Sequence, residues 1–261
     1  MEFEWIVGII TILLIFFLYY SSFFSPKREN FINFYSNVSF LSKEECRDVL
    51  INDQDNYYST FTVYDLAARK VNHLDEYKDN IRKACSEFSD KEKKRLERLM
   101  GEADKNLRKI KKSWFDGERA ADLQWRVGYT KGDGYEDGLP HTRYNVILLS
   151  EKTLKNDDNS LMGTLIHEKV HIYQKKYPED VDKFCEEMKI RRLRRREVGD
   201  KIRANPDIDN YVYITGDGEE MKTVYKDNPS GLEDTETYPK NKQESEHPNE
   251  KMAIMIEEMI I

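Results

Sequence analysis

The segment His167-Glu168-Lys169-Val170-His171 constrains this chain more than any other. Two histidines four residues apart face the same way only on a helix, one turn from each other. The lead-in Leu161-Met162-Gly163-Thr164-Leu165-Ile166 is apolar and small, so the helix is expected to run through the interior, from Ser160 to about Tyr177. Gly163, one turn before His167, leaves room for a neighbouring element to come close. A buried pair of histidines beside a glutamate is costly unless a metal or polar partners compensate them.

Both imidazoles can reach a single ion, and His-x-x-x-His on one helix face is a zinc-binding arrangement. Glu168 is rotated about 100° from His167 by the helix pitch, beside the ion and not on it. There it can take a proton from a water whose pKa a bound zinc lowers to about 7. Zn²⁺ held by His167 and His171, with Glu168 as general base, is the expected centre, and it matches the H-E-x-x-H pattern. Zinc needs a third protein ligand and an open position. His171 is followed by Ile172-Tyr173-Gln174-Lys175-Lys176-Tyr177, without the H-x-x-G-x-x-H extension of another zinc arrangement. The candidates lie in Glu246-His247-Pro248-Asn249-Glu250. Pro248 opens a helix, so Glu250 falls in its first turn on a rigid element and is preferred. Glu246 and His247 are the alternatives.

His167-Glu168-x-x-His171 followed by Asn249-Glu250-x-x-Ala253 resembles the gluzincins, the thermolysin-like and aminopeptidase-type zinc peptidases. The resemblance implies His167, His171 and Glu250 as ligands, Glu168 as base, and a peptide or protein substrate. A looser likeness is to predicted membrane-anchored metallopeptidases of large DNA viruses. It rests on Gly138-Leu139-Pro140-His141-Thr142-Arg143 and on His247-Pro248-Asn249-Glu250, and covers about residues 120–261. The chain departs from the gluzincin pattern in a long interval between His171 and Glu250. Ile254 also stands where thermolysin-like enzymes carry an aspartate, so the carboxylate that orients a ligand histidine is unassigned.

The resemblance further implies that substrate adds as a strand to a sheet edge beside this helix. The candidate strand is Tyr144 to Ser150, including Val146, and the alternative is a central core strand. His141, Thr142 and Arg143 are candidates to line the cleft, Arg143 by holding a substrate carboxylate. A tetrahedral intermediate needs a further electrophile, for which His247, Tyr211, Tyr213, Tyr225 and Tyr238 are candidates.

The rest of the chain is read around this motif. Trp5 to Tyr20 is uncharged and, with Ser21 to Phe24, reaches the roughly 20 residues of a membrane span. Pro26-Lys27-Arg28 follows it, which by the positive-inside rule predicts a single-pass protein with its N-terminus outside and its body on the cytosolic side; the looser likeness implies that the membrane is a viral or virion one. Residues 27–62 read as a connector with a short helix capped by Ser42 and Glu45. Residues 63–115 read as a helical hairpin, its second helix capped by Ser89 and Glu92, and 116–261 as the zinc domain. Strands are expected at Leu123 to Thr130 and in a hairpin at Tyr211 to Tyr225, and a helix from Pro178 to about Glu197. The fold class expected is α+β: a zincin-like domain with a small sheet, plus the anchor and the hairpin.

A net charge of −7 argues against a dedicated nucleic-acid binder. The dense cations of Lys189 to Arg203 nevertheless make anionic lipid or nucleic acid candidate partners; the alternative is a solvated helix face. Three well-separated cysteines are no disulfide framework. The function expected is a membrane-anchored, zinc-dependent peptidase, with endopeptidase action as the default. The alternatives are a membrane-tethered structural or interaction protein with a zinc-stabilised core, and a nucleic-acid-associated protease.

Overall fold

Val146-Ile147-Leu148-Leu149 has no polar residue to turn toward water, and both faces of the strand it forms are covered. Alternate side chains of a strand point to opposite faces. Val146 and Leu148 join one buried cluster, and Ile147 and Leu149 the other. The structure, a computed structural model, describes residues 37–240 and 245–261.

The elements run in this order: β1 (Val38–Phe40), α1 (Lys43–Asn52), α2 (Val63–Ala68), α3 (Leu74–Ala84), β2 (Cys85–Ser86), α4 (Asp90–Leu107), β3 (Lys111–Lys112) and β4 (Phe115–Asp116). Next come α5 (Gly117–Asp122), β5 (Trp125–Thr130), β6 (His141–Arg143), β7 (Val146–Ser150), α6 (Glu151–Leu154), α7 (Asp158–Lys176) and α8 (Pro178–Met188). The last are β8 (Arg191–Arg195), β9 (Tyr211–Ile214), β10 (Glu220–Tyr225), β11 (Thr235–Tyr238) and α9 (Pro248–Glu258). The main sheet has the order β1-β5-β7-β6, with β2 also paired to β5. Pairing is parallel from β1 through β5 to β7 and antiparallel at β6 and β2. A second sheet, β11-β10-β9-β8, is antiparallel throughout.

Helices α1 and α3 pack Cys46, Leu50, Tyr77 and Ile81 on one face of the main sheet. Helices α4, α7 and α9 pack Leu96, Met100, Leu165, Ile166, Met252 and Ile256 on the other. A mixed sheet, parallel at two of its pairings and antiparallel at two, with helices on both faces makes this a mixed α/β fold and corrects the expected α+β class with its small sheet. Helix α7 is buried on most of its circumference, as a helix apolar on several sides must be.

The helical hairpin is also corrected. Its helices exist, and Ser42 and Ser89 form the expected capping boxes with Glu45 and Glu92. But α3 lies in the cluster with α1, while α4 lies in the cluster with α7, on opposite faces of the sheet. The chain changes faces at Cys85–Ser86, which pairs with the end of β5. Period and caps define each helix and its apolar stripe; they do not say which surface covers the stripe. Within the expected connector, the described residues hold the short helix at Lys43–Asn52 and add strand β1 to the sheet.

The helix expected to reach Glu197 stops at Met188, where Lys189 takes a left-handed conformation (φ +56°). Arg191–Arg195 is a strand, and several cations of this stretch meet acids of the chain itself. Arg194 bonds Asp200, Arg203 bonds Glu246, and Arg196 bonds buried Asp65. The expected membrane span falls on residues 1–26, outside the described residues. Among the described residues no helix is long and apolar enough to cross a membrane. The described residues therefore give no support to the expected single-pass membrane protein with a cytosolic body.

One buried ionic cluster ties the α2 region to the connection between β5 and β6. Arg69 meets Glu136 through two nitrogens at 2.9 and 2.8 Å, and the Tyr57 and Tyr77 hydroxyls donate to the same carboxylate at 2.9 and 2.5 Å. Burial would raise Glu136, but Arg69 and the Tyr77 hydroxyl hold it at about 2, below the ordinary 4.5. A lowered folded pKa gives stability that is present above 4.5 and lost as pH falls toward 2. This linkage amounts to on the order of 3 kcal/mol. Urea titrations between pH 7 and pH 2.5 are therefore expected to show a fall in stability that is smaller in Glu136→Gln, itself destabilised at pH 7.

Candidate functional site

Helix α7 sets His167 and His171 one turn apart, their ring centroids 4.8 Å from each other. Helix α9 packs across α7 and supplies the third group. His247 caps its N-terminus, accepting from the Asn249 amide at 3.1 Å, and Pro248 takes the first turn. Glu250 Oε2 then lies 3.3 Å from His167 Nε2 and 3.9 Å from His171 Nε2. One donor atom from each of the three residues falls within 4.8 Å of the others. Two imidazole nitrogens and one carboxylate oxygen can hold one divalent cation with a position left open.

The residues around this trio orient it. His167 Nδ1 is 3.1 Å from Glu257 Oε2, and His171 Nδ1 is 2.9 Å from Gln174 Oε1. Gln174 is fixed in turn, donating to the Asn249 carbonyl at 2.8 Å. Asn205 Nδ2 donates to Glu250 Oε1 at 2.9 Å, which turns Oε2 toward the histidines. Glu257 is the orienting carboxylate that the sequence left unassigned. It stands seven residues after Glu250, two turns along the same face, a spacing that could have found it. Gly163 makes its approach possible, since a Cβ there would lie 2.6 Å from Glu257 Oε1.

His171 Nε2 is buried and has no hydrogen-bond partner among the described residues. A buried polar atom left unpaired is expensive. Burial pushes His171 down to about 3, so its imidazole is neutral and carries a free lone pair. Burial also opposes charge on His167, but the Glu250 and Glu257 carboxylates push it up to about 11. Burial would raise Glu250, yet the His167 imidazolium and the Asn205 amide hold it below the usual carboxylate range. In protein alone a proton on His167 compensates this acidic pocket; a cation at the three donors would take its place.

Glu168 is buried beside the trio. Its Oε2 accepts from Thr142 Oγ1 at 2.8 Å. Burial and the Asp207 carboxylate push it well above the ordinary range. Asp207 is itself raised to about 6, chiefly by burial, against the opposing charge of Lys175. A cleft of about 350 Å³ opens over these groups, lined among others by His141, His167, Glu168, Arg203, Asn205 and Asp207.

The other expected site residues are placed differently. His141 does line the cleft, its ring nitrogens 2.9 Å from the Leu139 carbonyl and 3.1 Å from the Tyr135 hydroxyl. Arg143 is buried and engaged by Asp55 at two nitrogens, both at 2.7 Å, and by Asp53 at 2.8 Å. Its charge is matched inside the protein and is not offered to a substrate carboxylate. Tyr144 sits half exposed at the β6–β7 turn with φ +54°, and Val146 points into the cluster under α1 and α3. Strand β7 is central, between β5 and β6; the edge nearest α7 is β6. His247 lies 3.0 Å from Asp209 with its ring against Tyr213, and Tyr211 stacks with Arg192 and Arg195 on the second sheet. Neither His247 nor Tyr211 lines the cleft. Glu246, an alternative third ligand, accepts instead from Arg203 at 2.6 Å and Asn205 at 2.9 Å.

No protein-family model, curated protein or solved structure matches the chain. The site therefore stands on its own geometry.

Zinc titration against a competing chelator is expected to give an affinity about 10–100-fold lower in Glu257→Ala than in the wild type. Gly163→Ala, which displaces the Glu257 carboxylate, is expected to shift the affinity the same way. Equal affinities in all three would show that Glu257 does not orient His167.

Proposed function

We propose that the chain is a zinc-dependent peptide hydrolase of gluzincin type. The observation that carries this reading is the unpartnered Nε2 of buried, neutral His171, aimed at the space it shares with His167 and Glu250. His167, His171 and Glu250 would hold the ion, with Glu257, Gln174 and Asn205 fixing their orientation. Zinc, when bound, supplies a Lewis acid that polarises a carbonyl and acidifies water.

Glu168 adjoins the ligand cluster but is tied to Thr142 rather than to the trio. In this reading it takes the proton from the attacking water and returns it to the leaving amine. A carboxyl raised by burial serves both steps better than an exposed one. The Arg203 guanidinium lines the cleft, is partly exposed, and donates to Glu246 at 2.6 Å. It is the available donor toward a substrate carbonyl, since the expected candidates His247 and Tyr211 lie elsewhere.

The test is zinc stoichiometry followed by hydrolysis of a mixed peptide library. The wild type is expected to bind one zinc per chain and to cleave peptides; Glu250→Ala is expected to lose most of the zinc affinity. Glu168→Gln is expected to keep the zinc and lose about 10²–10⁴-fold in kcat/KM. A folded wild type that takes up no zinc from excess metal would end the proposal, as would full activity in Glu168→Gln.

A further inference from the structure

We propose that Thr142, on edge strand β6, is the positioning residue for the Glu168 carboxylate, and that Asp207 and Lys175 hold Thr142 in place for that task. The inference rests on the reading of Glu168 as the general base.

All three polar groups of Thr142 are engaged, each by a different part of the chain. Its hydroxyl donates to Glu168 Oε2 at 2.8 Å and lies 3.2 Å from the Glu168 carbonyl. Its amide donates to Asp207 Oδ1 at 2.6 Å. Its carbonyl accepts from Lys175 Nζ at 2.6 Å, and the same ammonium reaches the Pro206 carbonyl at 2.9 Å. Thr142 is fully buried and paired with Ile147 in the sheet, so its backbone is held on both sides. A β-branched side chain has few χ1 choices, which fixes the hydroxyl once the backbone is fixed.

The consequence for Glu168 is directional. One carboxylate oxygen is bound to the sheet, so the other is left for water in the cleft. A glutamate has three rotatable bonds, and an untethered one would sample positions away from a reacting atom. Misplacement by about 1 Å costs on the order of 10²-fold in rate.

The same bonds close the sheet edge at this residue. The amide and carbonyl of Thr142 are the groups that an added peptide strand would pair with, and Asp207 and Lys175 already occupy them. Here β6 serves the base rather than offering a ledge to substrate. Strand addition at residue 142 requires Asp207 and Lys175 to let go.

The experiment compares full-length, zinc-loaded wild type, Thr142→Val and Thr142→Ser. Valine keeps the shape and removes the hydroxyl; serine keeps the hydroxyl. Zinc stoichiometry, kcat and KM for a cleaved peptide, and a crystal structure of each are measured. Thr142→Val is expected to bind zinc normally, to keep KM, and to lose on the order of 10²-fold in kcat, with Glu168 displaced from its wild-type position. Thr142→Ser is expected to recover most of the rate and the Glu168 position, which a merely structural role for the residue would not predict. Wild-type kcat with an unmoved Glu168 in Thr142→Val would overturn the proposal. Should the valine variant not fold, Thr142→Ala, also without the hydroxyl, carries the same expectations. A wild type that binds zinc and cleaves no peptide would sink the hydrolase reading alone, because the place of Glu168 in the Thr142→Val crystal still decides the positioning role.

Discussion

The packing of α9 across α7 is the contact on which the site depends. Helix α7 alone presents two histidines and a glutamate, and none of them can complete a cation site. Helix α9 adds Glu250 to the histidine pair and Glu257 to the far side of His167. Both arrive together because they lie two turns apart on one face of a rigid element. The apolar residues between them, Met252, Ala253 and Ile256, are fully buried and fix the register of that face. Gly163 lets the two helices meet closely enough for the Glu257 carboxylate to reach the imidazole.

Around this contact the protein concentrates negative charge in low-dielectric surroundings. Glu168, Asp207, Glu250 and Glu257 converge on one cleft, and burial pushes the first two up. Such a cluster is tolerated only with compensating cations and donors. Lys175, Arg203 and Asn205 supply part of this compensation, and in protein alone His167 supplies more by taking a proton. The unpaired Nε2 of His171 is the group none of them satisfies. A divalent cation would answer the excess charge and the orphaned nitrogen together, so the electrostatics and the geometry favour the same proposal.

The sheet holds the other half of the cleft. Its central strands are buried on both faces, so β6, at the edge beside α7, is where the sheet can give polar groups to the site. The segment Arg203–Asp207 then covers that edge and supplies Asn205 to Glu250 and Asp207 to Thr142. It comes from the long interval between His171 and Glu250, where nothing in the sequence singled out Asn205 or Asp207.

What the sequence determined by itself was local. The His167–His171 spacing, the capping residues Ser42 and Ser89, the Pro248 helix start and the unbroken apolar run of β7 each act within one or two turns or a few residues, where backbone geometry is common to all proteins. Those features sufficed to name His167, Glu168, His171 and Glu250. Tertiary structure decided everything that depends on which surfaces meet. It placed α3 and α4 on opposite faces of the sheet instead of against each other, because an amphipathic stripe specifies burial but not its partner. It made Arg191–Arg195 a strand, because pairing with β9 outweighed a local helical reading. It enclosed Arg143 with Asp53 and Asp55, and it brought Thr142, Gln174, Asn205, Asp207 and Glu257 around the histidines. These residues are mostly distant in sequence, and each is a common polar type that becomes distinctive only through the neighbour that folding gives it.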